Sequence, residues 1–194
     1  MINLTQLKVF DPKNIPEGIE SYKVLEAEDL KIKSETIKEL PSDRDSIWIA
    51  NDKFINIVWG MVATCVRDNR VSLAAPQIGI LKQFFVMRFF DLIGEGIKPT
   101  EKTLYNSSFI VLMNPSWSLN NKNEAKVSAY EEFISAPGGN LLIERPYSII
   151  AQYTTLNVKN NNYGIIEELN GWRARLFLRE WDNLHGKTLI DHKK

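Results

Sequence analysis

The residues Arg179, Glu180 and Asn183 in "LFLREWDNLHG" (176–186) have the spacing of a metal-binding helix without its ligands. Positions 179 and 183 are four apart, about 40° from alignment, so they share a face. A helix of the H-E-x-x-H type places two imidazoles there and uses the glutamate as general base. Here Glu180 keeps the glutamate place. Arg179 has no acceptor for a metal cation, and Asn183 offers a neutral amide oxygen, a weak ligand for a transition metal. Read alone, the segment is an amphipathic core helix with charged edges.

Elsewhere the chemistry-bearing residues are few. The chain has 194 residues with one cysteine, Cys65, and two histidines, His185 and His192. Cys65 can form neither an internal disulfide nor a thiolate cage alone; in "GMVATCVRD" it reads as a small buried apolar group, and a reducing compartment fits. His185 lies about 200° around the helix from Asn183 and so faces away, as a surface or helix-end residue. His192, next to Lys193 and Lys194, reads as solvated.

Apolar residues make up 44% and charged residues 25%, an ordinary balance for a globular protein. Lys plus Arg and Asp plus Glu are 24 each, so no net field draws the chain to nucleic acid or an anionic membrane. "MINLTQLKVFDPKNIPEGIE" lacks a signal peptide's apolar core, and Arg44 is the first arginine, so a basic transit peptide is also absent. No apolar run reaches the roughly eighteen residues of a membrane span. The expectation is a soluble cytoplasmic protein.

The elements that must position these residues are legible in part. Residues 1 to about 45 read as an extended arm with short turns. Ile47, Phe54, Ile57, Val58, Met61, Val62 and Cys65 predict an amphipathic helix over 47–67, capped by Asp45 or Ser46. "VSLAAPQIGI" (71–80) begins as a strand and breaks at Pro76. Buried strands are predicted at 83–90 and 109–115, with a polar surface excursion at 91–108 and a polar turn at 120–126. A strand from 127 breaks at Pro137-Gly138-Gly139. A strand at 147–158, a hairpin loop at 159–164 and a short strand at 165–169 lead to a helix opened by Asn170 and Gly171 and closed by Gly186. This is one α+β domain over 1–194, short strands around a late helix.

Three stretches change the reading of Glu180. "LAAPQIG" (73–79) resembles the first motif of the peptide deformylase family, G-x-G-L-A-A-P-Q-x-G. "EEFISAPG" (131–138) resembles the second, E-G-C-L-S-x-P-G. The segment from Ala174 resembles the third, A-R-x-x-Q-H-E-x-D-H-L-x-G, with Ala174, Arg175, Glu180, Asp182, Leu184 and Gly186 matching. "LMNP" (112–115) resembles a turn between the first two. The motifs stand in the family's order, and the motif-bearing part runs from about 47 to 192.

The resemblance implies a deformylase-like fold, short antiparallel strands around a central late helix. It also implies removal of the formyl group from N-terminal formyl-methionine by a divalent metal (iron, nickel or zinc) held by one cysteine and two histidines. Carried onto this chain, Gln77 matches the glutamine that stabilises the oxyanion, the backbone N–H of Ile134 its partner, and Glu180 the general base. The three metal-ligand positions are Phe133, Arg179 and Asn183, so no metal is predicted. Arg70 and Ser72 replace the first motif's two early glycines, and Glu132 the glycine of the second. Val71, Ser72, Leu73 and Arg179 would line a residual groove, narrowed by its side chains.

A metal takes the pKa of its bound water from 15.7 to about 7, whereas a general base contributes only about 10²–10⁴-fold. The reading is therefore a deformylase-like protein without the family's catalysis. It would bind peptide N-termini or another protein, with Arg179 pairing to one or two of Glu131, Glu132 and Glu180 and Phe133 filling space. The alternative is an active deformylase with an unconventional metal site.

Overall fold

A computed structural model describes residues 7–25, 34, 35, 37, 52–88, 107–121, 125–131, 141–159 and 161–192. The predicted caps Asp45 and Ser46, the 91–106 part of the excursion, and the 132–140 segment with Glu132, Phe133 and Ile134 lie outside them.

The first helix, α1, runs Asp52–Arg67 and buries Phe54, Val58, Met61, Val62 and Cys65, the three-and-four spacing read from sequence. It stops where Asn69 takes a φ of 51° and Arg70 N–H bonds back to the Cys65 carbonyl at 2.7 Å. Strand β1 (Ser72–Ala74) follows, then a 3-10 turn (Ala75–Ile78) closed by Gly79 at φ 80°, a left-handed value that favours glycine. Next come β2 (Phe84–Arg88), β3 (Phe109–Leu119), β4 (Lys126–Glu131), β5 (Leu141–Pro146), β6 (Ser148–Leu156), β7 (Asn162–Asn170) and the second helix, α2 (Gly171–Leu184).

Five strands form an antiparallel sheet in the order β1-β2-β3-β6-β7, and β4 pairs with β5 in a separate two-stranded sheet. The larger sheet is covered on both faces. Phe84, Val86, Val111 and Met113 join Phe54, Val58 and Met61 of α1 in one cluster. The alternate residues Phe85, Met87, Ile110 and Leu112 join Leu176, Phe177, Leu178 and Leu184 of α2 in the other. That two-sided burial explains why β2 and the start of β3 are apolar without alternation.

Three expectations change. Strand β3 does not end at Pro115: Asn114 takes a φ of 46°, and the register with β6 shifts between Met113 and Ser116. That bulge lets a proline without an N–H pass, and the strand continues to Leu119. Strand β7 spans nine residues rather than 165–169, because β6 pairs it from Asn162 to Asn170. Strand β5 was not anticipated.

The described part of the N-terminal arm is docked throughout. Phe10 and Phe109 exchange two backbone bonds, Tyr22 N–H bonds Thr64 Oγ1 at 2.7 Å, and Leu25 N–H bonds the Gln77 carbonyl at 2.8 Å. Farther on, Ser34 N–H bonds the Leu184 carbonyl at 2.8 Å, and the Asn114 side chain bonds both the N–H and the carbonyl of residue 37. Among the described residues, no helix is long and apolar enough to cross a membrane.

Candidate functional site

Helix α2 starts from Asn170 in an extended conformation, with Gly171 at φ 54°, and its end is followed by Gly186 at φ 68°. It packs against β1, so the face carrying Arg179, Glu180 and Asn183 meets Ser72. Ser72 Oγ donates to Glu180 Oε1 at 2.7 Å. Arg179 Nη2 donates to the same Oγ at 2.7 Å, and its Nε donates to Glu180 Oε1 at 3.1 Å. Asn183 Nδ2 donates to Glu180 Oε2 at 3.1 Å. Glu180 and Asn183 are each 1% exposed and Ser72 2%, while the Arg179 side chain keeps 18% exposure. One cation and one carboxylate leave the group electrically balanced. A buried carboxylate without such partners would be costly.

Gln77 is buried on the 3-10 turn, and its Oε1 accepts the Ala74 N–H at 2.8 Å, so its amide is oriented without joining the Glu180 group. Of the groove residues, Val71 is half-buried and its carbonyl accepts the Arg88 N–H at 2.8 Å. The Leu73 side chain is packed in the α1 cluster and can offer a ligand only its main chain. The Ser72 side chain is turned onto Glu180. Among the described residues, strand β1 lies at the end of the five-stranded sheet and has only β2 as a neighbour there.

A second buried charge cluster fixes the β4–β5 hairpin onto α2. Arg145 Nε and Nη2 donate to the two oxygens of Glu131 at 2.6 and 3.0 Å, and its Nη1 donates to Asp182 Oδ2 at 2.7 Å. Arg175 Nη1 donates to Glu131 Oε1 at 2.6 Å and to the Ile143 carbonyl at 3.0 Å. Burial works against the Arg145 charge, yet Glu131 and Asp182 hold its pKa above the ordinary value. Sequence reasoning missed Arg145. Its only signal was the alternation of Ile143 and Arg145 on one face of a short strand.

Arg179 pairs with Glu180, one of the three acids predicted for it; Glu131 is held by Arg145 and Arg175, and Glu132 lies outside the described residues. The expectation of a solvated His192 is corrected. Thr188 N and Oγ1 both bond Asp191 Oδ2, and the 3-10 turn Leu189–His192 folds back so that His192 Nε2 lies 2.9 Å from Asp182 Oδ2. His185 stacks on the Trp181 ring at 3.9 Å, with Nδ1 2.8 Å from the Trp181 carbonyl. Cys65 is fully buried; burial, reinforced by Glu180, pushes its thiol pKa up.

A family model described as polypeptide deformylase matches residues 24–194. The chain belongs to the peptide deformylase family. It is 32% identical over 132 residues to a peptide deformylase of Rickettsia canadensis, covering 68% of this chain and 69% of the relative. It is 30% identical over 162 residues to one of Thermodesulfovibrio yellowstonii, covering 84% and 81%. Among solved structures, the Thermotoga maritima peptide deformylase superposes with a TM-score of 0.67 at 24% identity, covering 90% of this chain and 99% of that one. A class I type b peptide deformylase of Acinetobacter baumannii, crystallised with Met-Ala-Ser bound, gives 0.69 at 18% identity with the same coverage. These structural likenesses agree with the α+β deformylase-like fold.

The deformylase metal does not fit the donors described. Arg179 brings a fixed positive charge to within 3.1 Å of the glutamate that would face it. Asn183 turns its Nδ2 donor toward that glutamate, and its Oδ1, buried without a hydrogen-bond partner, is one neutral donor atom. Among the described residues no three His, Cys, Asp or Glu side chains cluster to hold a metal ion. The side chain of Phe133, outside those residues, carries no ligand atom.

Proposed function

We propose that this deformylase-family chain has given up metal-assisted removal of formyl groups and retains a role in binding, with peptide N-termini or another protein as the partner. The observation that carries the reading is the closed group around Glu180. Its carboxylate, the one positioned to act as general base, already accepts three hydrogen bonds, from Ser72, Arg179 and Asn183. A carboxylate has about four lone-pair positions, so three are taken, and the cation beside it is the Arg179 guanidinium. General-base action by itself supplies about 10²–10⁴-fold, far from what a lowered water pKa contributes. The end position of β1 supports the binding half: an extended peptide adds to such a strand through main-chain bonds. The Acinetobacter deformylase, a protein of the same fold, is crystallised with the short peptide Met-Ala-Ser bound. The single, buried Cys65 agrees with a reducing, cytoplasmic setting.

The test is to purify the chain anaerobically and measure bound iron, nickel and zinc. Formate release from formyl-Met-Ala-Ser and calorimetric binding of Met-Ala-Ser are then followed. Expected are metal far below one equivalent, no formate, and saturable peptide binding. One equivalent of metal with turnover would overturn the reading in favour of an active deformylase with an unconventional site, the function that the named relatives suggest. The triple variant Phe133→Cys, Arg179→His, Asn183→His is expected to regain metal.

A further inference from the structure

The five-stranded sheet has a second end, β7, and among the described residues β6 is its only strand neighbour. Its register with β6 runs unbroken from Ser148–Asn170 to Leu156–Asn162. Just past the two ends of that ladder, Asn157 N–H donates to the Asn161 carbonyl at 2.8 Å and Gly171 N–H to the Tyr147 carbonyl at 2.7 Å. Both bonds join odd-numbered residues. In an antiparallel ladder the bonded pairs recur every second residue and exchange both their bonds. Tyr163, Ile165, Glu167 and Leu169 therefore direct their main-chain groups to β6. Gly164, Ile166 and Glu168, between them, aim theirs out of the sheet.

Native edge strands are blunted by shortness, proline, lysine or a bulge. Strand β7 has none of these: it runs nine residues without Pro or Lys and without a register shift. At its midpoint Ile166 is 69% exposed. A Cβ added to Gly164 would meet nothing within 4 Å, so the edge is open there. We propose that β7 is the interface of a two-fold dimer, pairing antiparallel with β7 of a second copy about Ile166.

Register and charge both favour a second copy as the occupant. An axis at residue 166 is the one that overlaps the whole of Asn162–Asn170. It sets Ile166 on Ile166 of the copy and Gly164 on Glu168, so outward-aimed residues meet and bond in phase, as an isologous interface requires. Each Glu168 then faces a glycine, and the two Glu168 positions stand about 13 Å apart along the strands, beyond the roughly 8 Å range of screened charge. Glu167 faces Ile165, and Arg173 at 3.1 Å balances its charge. An axis at residue 167 would instead oppose Glu167 to itself, which is destabilising. The contact is about 30 Å long and one strand deep, less than a standard interface, so the dimer is weak and concentration-dependent. The inference goes beyond the binding reading and uses no residue of the Glu180 group. Strand β1, three residues long at the other end of the sheet, stays free for a peptide.

The test follows the mean mass of the full chain by sedimentation from low to high micromolar concentration. Expected is a rise from one chain toward two. Ile166→Lys is expected to remove the rise, while Gln152→Lys, exposed on β6 opposite Ile166 and off the edge, leaves it unchanged. Ile166→Cys is expected to give a disulfide-linked dimer under mild oxidation, because bonded antiparallel pairs stand about 5.5 Å apart at Cα, within disulfide reach. Glu168→Cys, with its thiols about 13 Å apart, stays unlinked. The native Cys65 is buried and adds no background. On the unaltered chain, amide exchange at Gly164, Ile166 and Glu168 slows with concentration, while that at Ile165 and Glu167 does not change. A single-chain mass throughout, equal linking of the two cysteine variants, or growth past two chains overturns the proposal. If the variants do not fold, the mass and the exchange pattern of the unaltered chain decide alone.

Discussion

Replacing Arg145 by methionine tests whether the buried charge cluster holds the hairpin to α2. Methionine keeps much of the side-chain stem and fills similar space, so the change isolates the charge. Arg145 makes three charge-assisted bonds, two to Glu131 and one to Asp182, from a side chain only 6% exposed. Removing one partner of a buried ion pair costs about 3–5 kcal/mol. Here neither acid is stranded, since Glu131 keeps Arg175 at 2.6 Å and Asp182 keeps His192 at 2.9 Å. The lower end, about 3 kcal/mol, is therefore expected. At about 2–4 °C per kcal/mol for a chain of this size, that is a fall in Tm of roughly 6–12 °C. Urea unfolding followed by circular dichroism measures it. A double-mutant cycle with Glu131→Gln then gives the coupling, expected to exceed about 1 kcal/mol because removing both charges leaves less buried charge uncompensated. A loss under about 0.5 kcal/mol for Arg145→Met, or additive single effects, would refute the reasoning.

Three further outcomes follow from packing and burial. A Cβ on Gly60 would stand 2.5 Å from the Tyr22 ring and 3.1 Å from the Glu20 carbonyl. Gly60→Ala is expected to push the arm off α1 and cost about 1–3 kcal/mol, seen as faster tryptic cleavage after Lys23. Unchanged cleavage with a gain of about 1 kcal/mol would mean that helix propensity alone governs the site. Cys65 should resist iodoacetamide until the chain unfolds, labelling in step with denaturation. Because its folded-state pKa is raised, its contribution to stability is full below the ordinary thiol pKa and shrinks as pH climbs above it. Cys65→Ala should flatten that alkaline decline, and an unaltered decline would assign it to other groups.

The parts of the site that one helix turn dictates were legible in the sequence. Spacing alone put Arg179 and Asn183 on one face with Glu180 beside them, and the motif likeness singled out Gln77, whose burial on the 3-10 turn only the fold shows. What spacing does not carry is the meeting of distant segments. The 72–180 bond depends on β1 lying across α2, and nothing local in "RVSL" says that its serine turns inward. Arg145 shares that difficulty: a charged residue in a short strand reads as solvent-facing until its two acids, 14 and 37 positions away, are placed around it. Pro115 misled for a different reason, since a proline normally ends a strand and the bulge that tolerates it rests on the positive φ of Asn114. His192 looked solvated beside two lysines, because a fold-back of only four residues gives little periodicity to read.

Asn114 has a consequence for the order in which the molecule can assemble. Its amide meets residue 37 as a backbone would, and the same stretch of arm is fastened to Leu81, Gln83 and Leu184. During synthesis the arm leaves the ribosome before any of these partners exists, and the Leu184 carbonyl is made 150 residues after Ser34. The segment translated early is thus fastened in stages: Ile37, buried in the final structure, has no Asn114 amide to meet until the third strand is made, and Ser34 has no carbonyl to meet until α2 is finished.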